Sequence, residues 1–220
     1  MGRPREHDEQ TRTKLRAAAE RLVAHGGPDA LSVRSVADEA GTTTRAVYSL
    51  FGSKDGLVAA LAQTAFELLY EEIDRLPVTD DPAADLVAIG TQAVRGLVRE
   101  HPALFRIAFQ RIAGLQSEPQ LVEARERAWV QLQGRVQRLN DAGLLGRKPV
   151  LDAARELNAM WEGLANAELR GEVLRIMPEG DEARAWHDAL TTVIQGLIAP
   201  PRTRPGTSRQ RKTSSGSRRA

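Results

Sequence analysis

Cysteine is absent from the 220 residues, which excludes disulfides, thiolate metal sites and cysteine nucleophiles. Aromatics make up only 4%, so a core must be built from Leu, Ala, Val and Ile, and the 41% hydrophobic content suffices for one. No apolar run reaches the ~20 residues of a membrane span. The N-terminus is polar and charged, without the apolar stretch of a secretion signal. A cytoplasmic protein with no membrane partner is the expectation. The four histidines, His7, His25, His101 and His187, lack metal-ligand spacing. The patterns G-x-S-x-G, G-x-x-x-x-G-K-[ST] and H-E-x-x-H and the Rossmann glycines are missing. No catalytic residue, metal or cofactor is expected, and function is sought in binding.

Acid is missing from one place. Pro200 to Ala220 holds seven Arg or Lys and no Asp or Glu, although the whole chain carries only +2. The remainder has 24 bases against 29 acids, so net charge does not mark the folded part as a nucleic-acid binder. The tail, PPRTRPGTSRQRKTSSGSRRA, has almost nothing apolar to offset the entropy of ordering. A disordered basic tail is expected at 200–220.

What is present reads as all-α, with no β-alternation and no internal repeat. Leu15, Ala19, Leu22 and Val23 line one face of a first helix running from about Glu9. Gly26, Gly27 and Pro28 stop it. Ser32 is the expected N-cap of a short helix Val33–Ala40, which buries Val33, Val36 and Ala37. Gly41 ends that helix. Thr43 caps a third helix, Thr44–Phe51, and Ser53 caps a fourth that runs to about Arg75. Pro77–Pro82 is the clearest interior loop. Further helices are expected at 83–100, 102–114, 118–142, 149–173 and 181–198. The expected division is a flexible arm (1–8), a helix-turn-helix unit (9–58), a larger helical domain (59–199) and the tail.

The stretch EAGTTTRAVYSLFGSKDGL, Glu39–Leu57, points to function. Two short helices joined at Gly41 follow the plan of a helix-turn-helix, whose second helix enters the DNA major groove. Between two phosphate walls, outward side chains must be short, or long and hydrogen-bonding. Thr44, Arg45, Ala46 and Ser49 fit, while Val47 and Phe51 anchor the opposite face. Arg45 can donate two hydrogen bonds to guanine, worth about 1–3 kcal/mol of discrimination. Thr44 or Ala46 can touch a thymine methyl. The hydroxyls of Thr43 and Tyr48 suit phosphate oxygens. Lys54, in a helix first turn, can hold a phosphate together with free N–H groups. Arg34 can reach a base edge or a phosphate. Short helices with Thr and Gly at their ends are also common in proteins that bind no DNA, so spacing alone leaves both readings open.

The segment from about Thr11 to Leu61 closely resembles the N-terminal domain of the TetR family of one-component transcriptional regulators. The resemblance lies in LSVRSVADEAGTTTRAVYSLFGSKDGL, through the core of the second helix, the Ala-Gly turn, Tyr48, Phe51 and the S-K-x-x-L opening of the fourth helix. It covers about a quarter of the chain. It implies that Thr44, Arg45, Ala46 and Ser49 are base-reading positions and that Thr43, Tyr48 and Lys54 contact phosphate. Thr42 stands where members usually carry an apolar residue. Leu50 stands where many carry a histidine on phosphate, so that contact is expected to be missing.

The same resemblance implies that about 60–199 bind a small effector and form a homodimer. HPALFRIAFQR and MWEGLANAELRG look like the regulatory domain of a subgroup named for a Trp-His-Gly signature. Here the triplet is Trp161-Glu162-Gly163, and the role of the histidine is not carried over. Stripes of Leu157, Trp161, Leu164 and Ala165, and of Trp186, Leu190, Val193, Ile194 and Leu197, suit a four-helix dimer bundle. The same stripes would also serve packing within one subunit; the family implication favours the dimer. For an effector pocket the candidates are Leu97, Phe105, Phe109, Trp129 and Trp161. Ordinary core packing would account for any one of them, and His101, before a proline, reads as structural. MGRPR resembles the minor-groove core of an AT-hook. The tail would add salt-sensitive DNA affinity or nothing.

The expected function is a ligand-released repressor that binds a near-palindromic double-stranded operator. A coupling of about 1–3 kcal/mol would link effector and DNA. The alternative is a helical small-molecule-binding or scaffold protein without specific DNA recognition.

Overall fold

Three hydroxyl residues set the beginnings of the second, third and fourth helices. The Ser32 hydroxyl accepts the Ser35 N–H at 3.0 Å, and Ser35 Oγ accepts the Ser32 N–H at 3.0 Å. This reciprocal cap opens α2, Val33–Glu39. Thr43 Oγ1 accepts the Ala46 N–H at 3.2 Å and opens α3, Thr44–Phe51. Ser53 Oγ accepts the Gly56 N–H at 2.9 Å and opens α4, Lys54–Arg75. Each bond satisfies a donor that the helix leaves free. Gly41 (φ 64°) and Gly52 (φ 73°) supply the left-handed turns between these helices.

The computed structural model describes residues 3–110, 118–176 and 181–198, and these are helices joined by turns and short loops. The first helix, α1, spans Arg3–Gly26. Residues 3–8, expected as a flexible arm, therefore continue α1; Met1, Gly2 and the basic tail lie outside the described residues. A 3-10 turn at Pro28–Ala30 leads to α2.

After α4, Asp81 caps α5, Pro82–Ala88, by accepting the Ala83 and Ala84 N–H groups at 3.0 Å each. The expected helix 83–100 is interrupted: Ile89–Val94 is π-helical, and α6, Arg95–Glu100, follows. Gly90 lies in that wider turn. A Cβ there would stand 2.3 Å from Leu190 Cδ1 and 2.6 Å from Trp161 Nε1, so α9 and α11 can close on it only because it has no side chain.

The remaining helices are α7 (Pro102–Gln110), α8 (Pro119–Asp141), α9 (Val150–Leu169), α10 (Val173–Ile176) and α11 (Glu182–Ile198). The expected helix 149–173 stops early because Gly171 takes φ 67°. The Gly171 and Glu172 N–H groups then bond back to Glu168 and Ala167. The last residues of the expected helix 102–114, and Met177-Pro178, lie outside the described residues.

The core runs along α4, which packs against α8 and α7, and α1 packs on α7 and α4. Helix α11 closes the far side over α5 and the π-helical turn. The residues of the expected dimer stripes take part in this packing. Leu157, Trp186, Leu190, Ile194 and Leu197 are buried within their own subunit, with Trp186 fully so. Helix α11 covers α5 and the π-helical turn, α9 packs on α8, α11 and α6, and much of both apolar stripes is used in these contacts. Only Leu164 and Val193 of that set are half-buried and reach the surface.

Candidate nucleic-acid interface and ligand cavity

Helix α3 is amphipathic in one direction only. Val47 is fully buried, while Leu50 and Phe51 pack half-buried on the core. Fully burying a side chain such as Val47 is worth about 1.5–3 kcal/mol. The Arg12 guanidinium lies 5.1 Å from the Phe51 ring centre and ties α1 to this helix. The opposite face turns Thr44, Arg45, Tyr48 and Ser49 to solvent, with Tyr48 54% exposed. Their spacing, i, i+1, i+4 and i+5, makes one continuous surface. Ala46 is half-buried at its edge.

Around this face, Thr43 and Lys54 are exposed at the first turns of α3 and α4. The Thr43 hydroxyl accepts the cap bond but still has a proton to donate to a phosphate. Among the described residues, Arg45 and Lys54 make no ion pair. Arg34, on α2, is exposed and lies 3.8 Å from Asp38, a surface pair that phosphate can displace at little cost. All eight expected DNA-contacting residues thus lie on α2, on α3 and its N-cap, and at the start of α4, and Ala46 is the least accessible of them.

A second feature lies in the larger helical part. A cavity of about 320 Å³ opens between α4, α6, α7, α8 and α9. All five residues expected of an effector pocket line it: Leu97, Phe105, Phe109, Trp129 and Trp161. Phe105 and Phe109 stack at 4.5 Å, and Phe66 of α4 meets Phe109 at 5.3 Å. The sequence reading missed Phe66, Leu69 and Ile73 and the polar lining of Arg125, Glu126, Asn158 and Glu162. The replaced signature position, Glu162, was the available signal.

Two sets of bonds join the parts. His101 Nδ1 lies 2.9 Å from Glu20 Oε1, so the α6–α7 corner contacts α1. At the far end of α4, buried Arg135 donates to the carbonyls of Ile73 (2.8 Å), Leu76 (3.0 Å) and Pro77 (3.2 Å). Arg138 bonds Asp85 and the Thr79 carbonyl. Burial pushes the Asp85 carboxyl up, but the Thr79 hydroxyl and N–H and the Arg138 guanidinium outweigh it and hold it below the usual carboxylate range. Arg95, also buried, bonds Glu168 at 2.9 Å and lies 3.7 Å from Glu182, tying α6 to α9 and α11. No described helix is long and apolar enough to cross a membrane.

These features define a helix-turn-helix protein whose reading unit is joined to a larger helical part with an apolar cavity. Residues 15–61 match the family described as "Bacterial regulatory proteins, tetR family", and residues 86–193 match "Tetracyclin repressor-like, C-terminal domain". The chain belongs to the TetR family of bacterial regulatory proteins. It is 30% identical over 112 residues to the HTH-type transcriptional regulator Rv1816 of Mycobacterium tuberculosis, a match covering 50% of this chain and 47% of that protein. The matched stretch thus spans about half the length of the curated relatives. Among solved structures, it resembles a transcriptional regulator from Rhodococcus sp. (26% identity, TM-score 0.65, covering 86% of this chain and 99% of that one). It also resembles NalD, the secondary repressor of the MexAB-OprM multidrug efflux pump in Pseudomonas aeruginosa (26% identity, TM-score 0.62, covering 88% and 98%). The fold is shared with the TetR family transcriptional regulator PfmR of Thermus thermophilus (23% identity, TM-score 0.63, covering 81% and 97%).

Proposed function

We propose that this protein is a DNA-binding transcriptional regulator that grips a near-palindromic operator as a homodimer and is released by a small molecule in the cavity. One observation carries the reading: α3 buries Val47 and turns Thr44, Arg45, Tyr48 and Ser49 outward together. In this reading Arg45 recognises guanine, Thr44, Ala46 and Ser49 contact neighbouring base edges, and Arg34 reaches a base edge or phosphate. Thr43, Tyr48 and Lys54 bind phosphate and fix register. The reading unit is residues 9–58 and the effector and dimer domain 59–199, with the basic tail adding salt-sensitive affinity. A DNA target implies a cytoplasmic location.

For the dimer, the outward faces of α9 and α11 are the natural contact. They expose small residues at Ala159, Gly163, Thr192 and Gly196, beside half-buried Leu164 and Val193. Two copies would set their α3 helices about 34 Å apart on one side of the duplex. Trp161-Glu162-Gly163 supports assignment to the Trp-His-Gly subgroup, with Trp161 in the cavity wall. The cavity walls include α4, which also carries Lys54 at its start, so a ligand that shifts α4 respaces the two reading helices. Repression is the sign of regulation favoured by the likeness to NalD.

The test is selection from a random duplex library by the full chain at near-physiological salt. A two-fold symmetric consensus is expected. Recovery of unselected, salt-sensitive DNA alone would overturn the reading in favour of a ligand-binding or scaffold protein.

A further inference from the structure

We infer that the cavity selects an apolar molecule with an aromatic or flat body and an amine or similar cationic donor, and that Glu162 holds that donor. The inference rests on the effector reading of the cavity and names its ligand class. The body of the ligand follows from the walls. Phe66, Phe105, Phe109, Trp129 and Trp161 present ring surface, backed by aliphatic side chains such as Leu132. Such walls gain from flat apolar contact and attract cations over their ring faces.

The donor follows from α9. Asn158 and Glu162 stand one turn apart, and both line the cavity. Glu162 is half-buried, and the Asn158 amide donates to its carboxylate at 2.6 Å. Among the described residues no basic group pairs with that carboxylate. A carboxylate offers about four acceptor sites, so most of its capacity is open to the cavity or to water. An apolar ligand would strip that water without replacement, which is costly for a charge. A ligand bringing an N–H donor instead forms a charge-assisted bond. Arg125 and Glu126, from α8, are the other charged groups on the wall, so acids outnumber bases there by two to one. Neither pairs with Glu162. The triplet position at which this chain departs from the Trp-His-Gly signature is the one that gives the cavity its acceptor.

Three probes of matched shape test this: 1-pyrenemethylamine, 1-pyrenemethanol and 1-pyrenecarboxylic acid. Binding to the full chain is read by energy transfer from Trp129 and Trp161. The amine should bind about ten-fold or more tightly than the alcohol, and the acid more weakly than both. Glu162→Gln should remove the amine's advantage over the alcohol, and a circular dichroism spectrum and thermal melt like those of wild type certify that the variant is folded. Tightest binding by the acid, lost in Arg125→Gln, would overturn the inference, as would an unchanged amine affinity in Glu162→Gln. Binding by none of the three would overturn the inference and the cavity reading together. Amine binding as expected, without release of selected DNA, would leave the ligand class standing and remove its regulatory role.

Discussion

Replacing Gly56 by alanine should damage the reading unit without touching any outward side chain. Gly56 is in the first turn of α4, where its N–H bonds the Ser53 hydroxyl at 2.9 Å. A Cβ there would fall 2.0 Å from the Phe51 carbonyl oxygen and 3.2 Å from its carbon. That oxygen is not free to move, because it accepts the Ser53 N–H at 2.8 Å inside the turn between α3 and α4. Relief requires α3 and α4 to part by about 1 Å or more to reach ordinary contact. Overpacking of this kind costs about 1–3 kcal/mol, against about 0.5–1 kcal/mol gained because alanine suits a helix better than glycine. A net loss of up to about 2.5 kcal/mol lowers Tm by as much as roughly 10 °C in a chain of this length. Displacement of α3 should also cost at least one base contact, about 1–3 kcal/mol of affinity for selected DNA. Gly134→Ala is the control. Its Cβ would enter open space on α8, and the variant should be stabilised by about 0.5–1 kcal/mol. Thermal melts and anisotropy titrations measure both variants. Gly56→Ala that behaves like Gly134→Ala and binds DNA as wild type does would refute the close approach.

Other predictions concern the larger domain. Folding holds the Asp85 carboxyl below 3.8, its ordinary value. Its stabilisation is therefore fully present above about pH 4 and lost as pH falls through the lower folded value. In melts from pH 3 to 7, Asp85→Asn should lose stability at neutral pH and flatten the acid limb; an unchanged limb would contradict this. Arg135→Ala leaves the Ile73, Leu76 and Pro77 carbonyls without their donor and should cost about 1–3 kcal/mol in denaturant unfolding. Leu190→Ala should destabilise the subunit itself by about 2–5 kcal/mol, because Leu190 fills its own core. A change confined to the dimerisation constant in sedimentation would restore the stripe to the interface.

Local chemistry made the reading unit legible. Ser32, Thr43 and Ser53 cap where their spacing placed them, since a cap needs only a hydroxyl and a following helical turn. The outward face of α3 was readable for the same reason: one turn of helix fixes which residues share a side. Gly56 was not readable, because its need for empty space comes from the Phe51 carbonyl across a turn. The aromatics expected of an effector pocket, Phe105, Phe109, Trp129 and Trp161, line one cavity. Phe66 and Ile73 of α4 were not named, because the periodicity of a helix does not say which of its apolar residues border a cavity. The stripe on α11 has the same pattern whether it covers its own core or a partner, and periodicity does not distinguish the two. The burial of Trp186, Leu190 and Ile194 within one subunit is what the structure adds.

The most direct test of the central claim is the affinity of wild type and Arg45→Ala for the selected duplex and for its single-base variants. Arg45→Ala should lose about 1–3 kcal/mol on the consensus and stop discriminating at one symmetry-related base pair, leaving the other positions selective. Equal weakening on every sequence, or no change at all, would mean that α3 does not read DNA through Arg45 and would contradict the account.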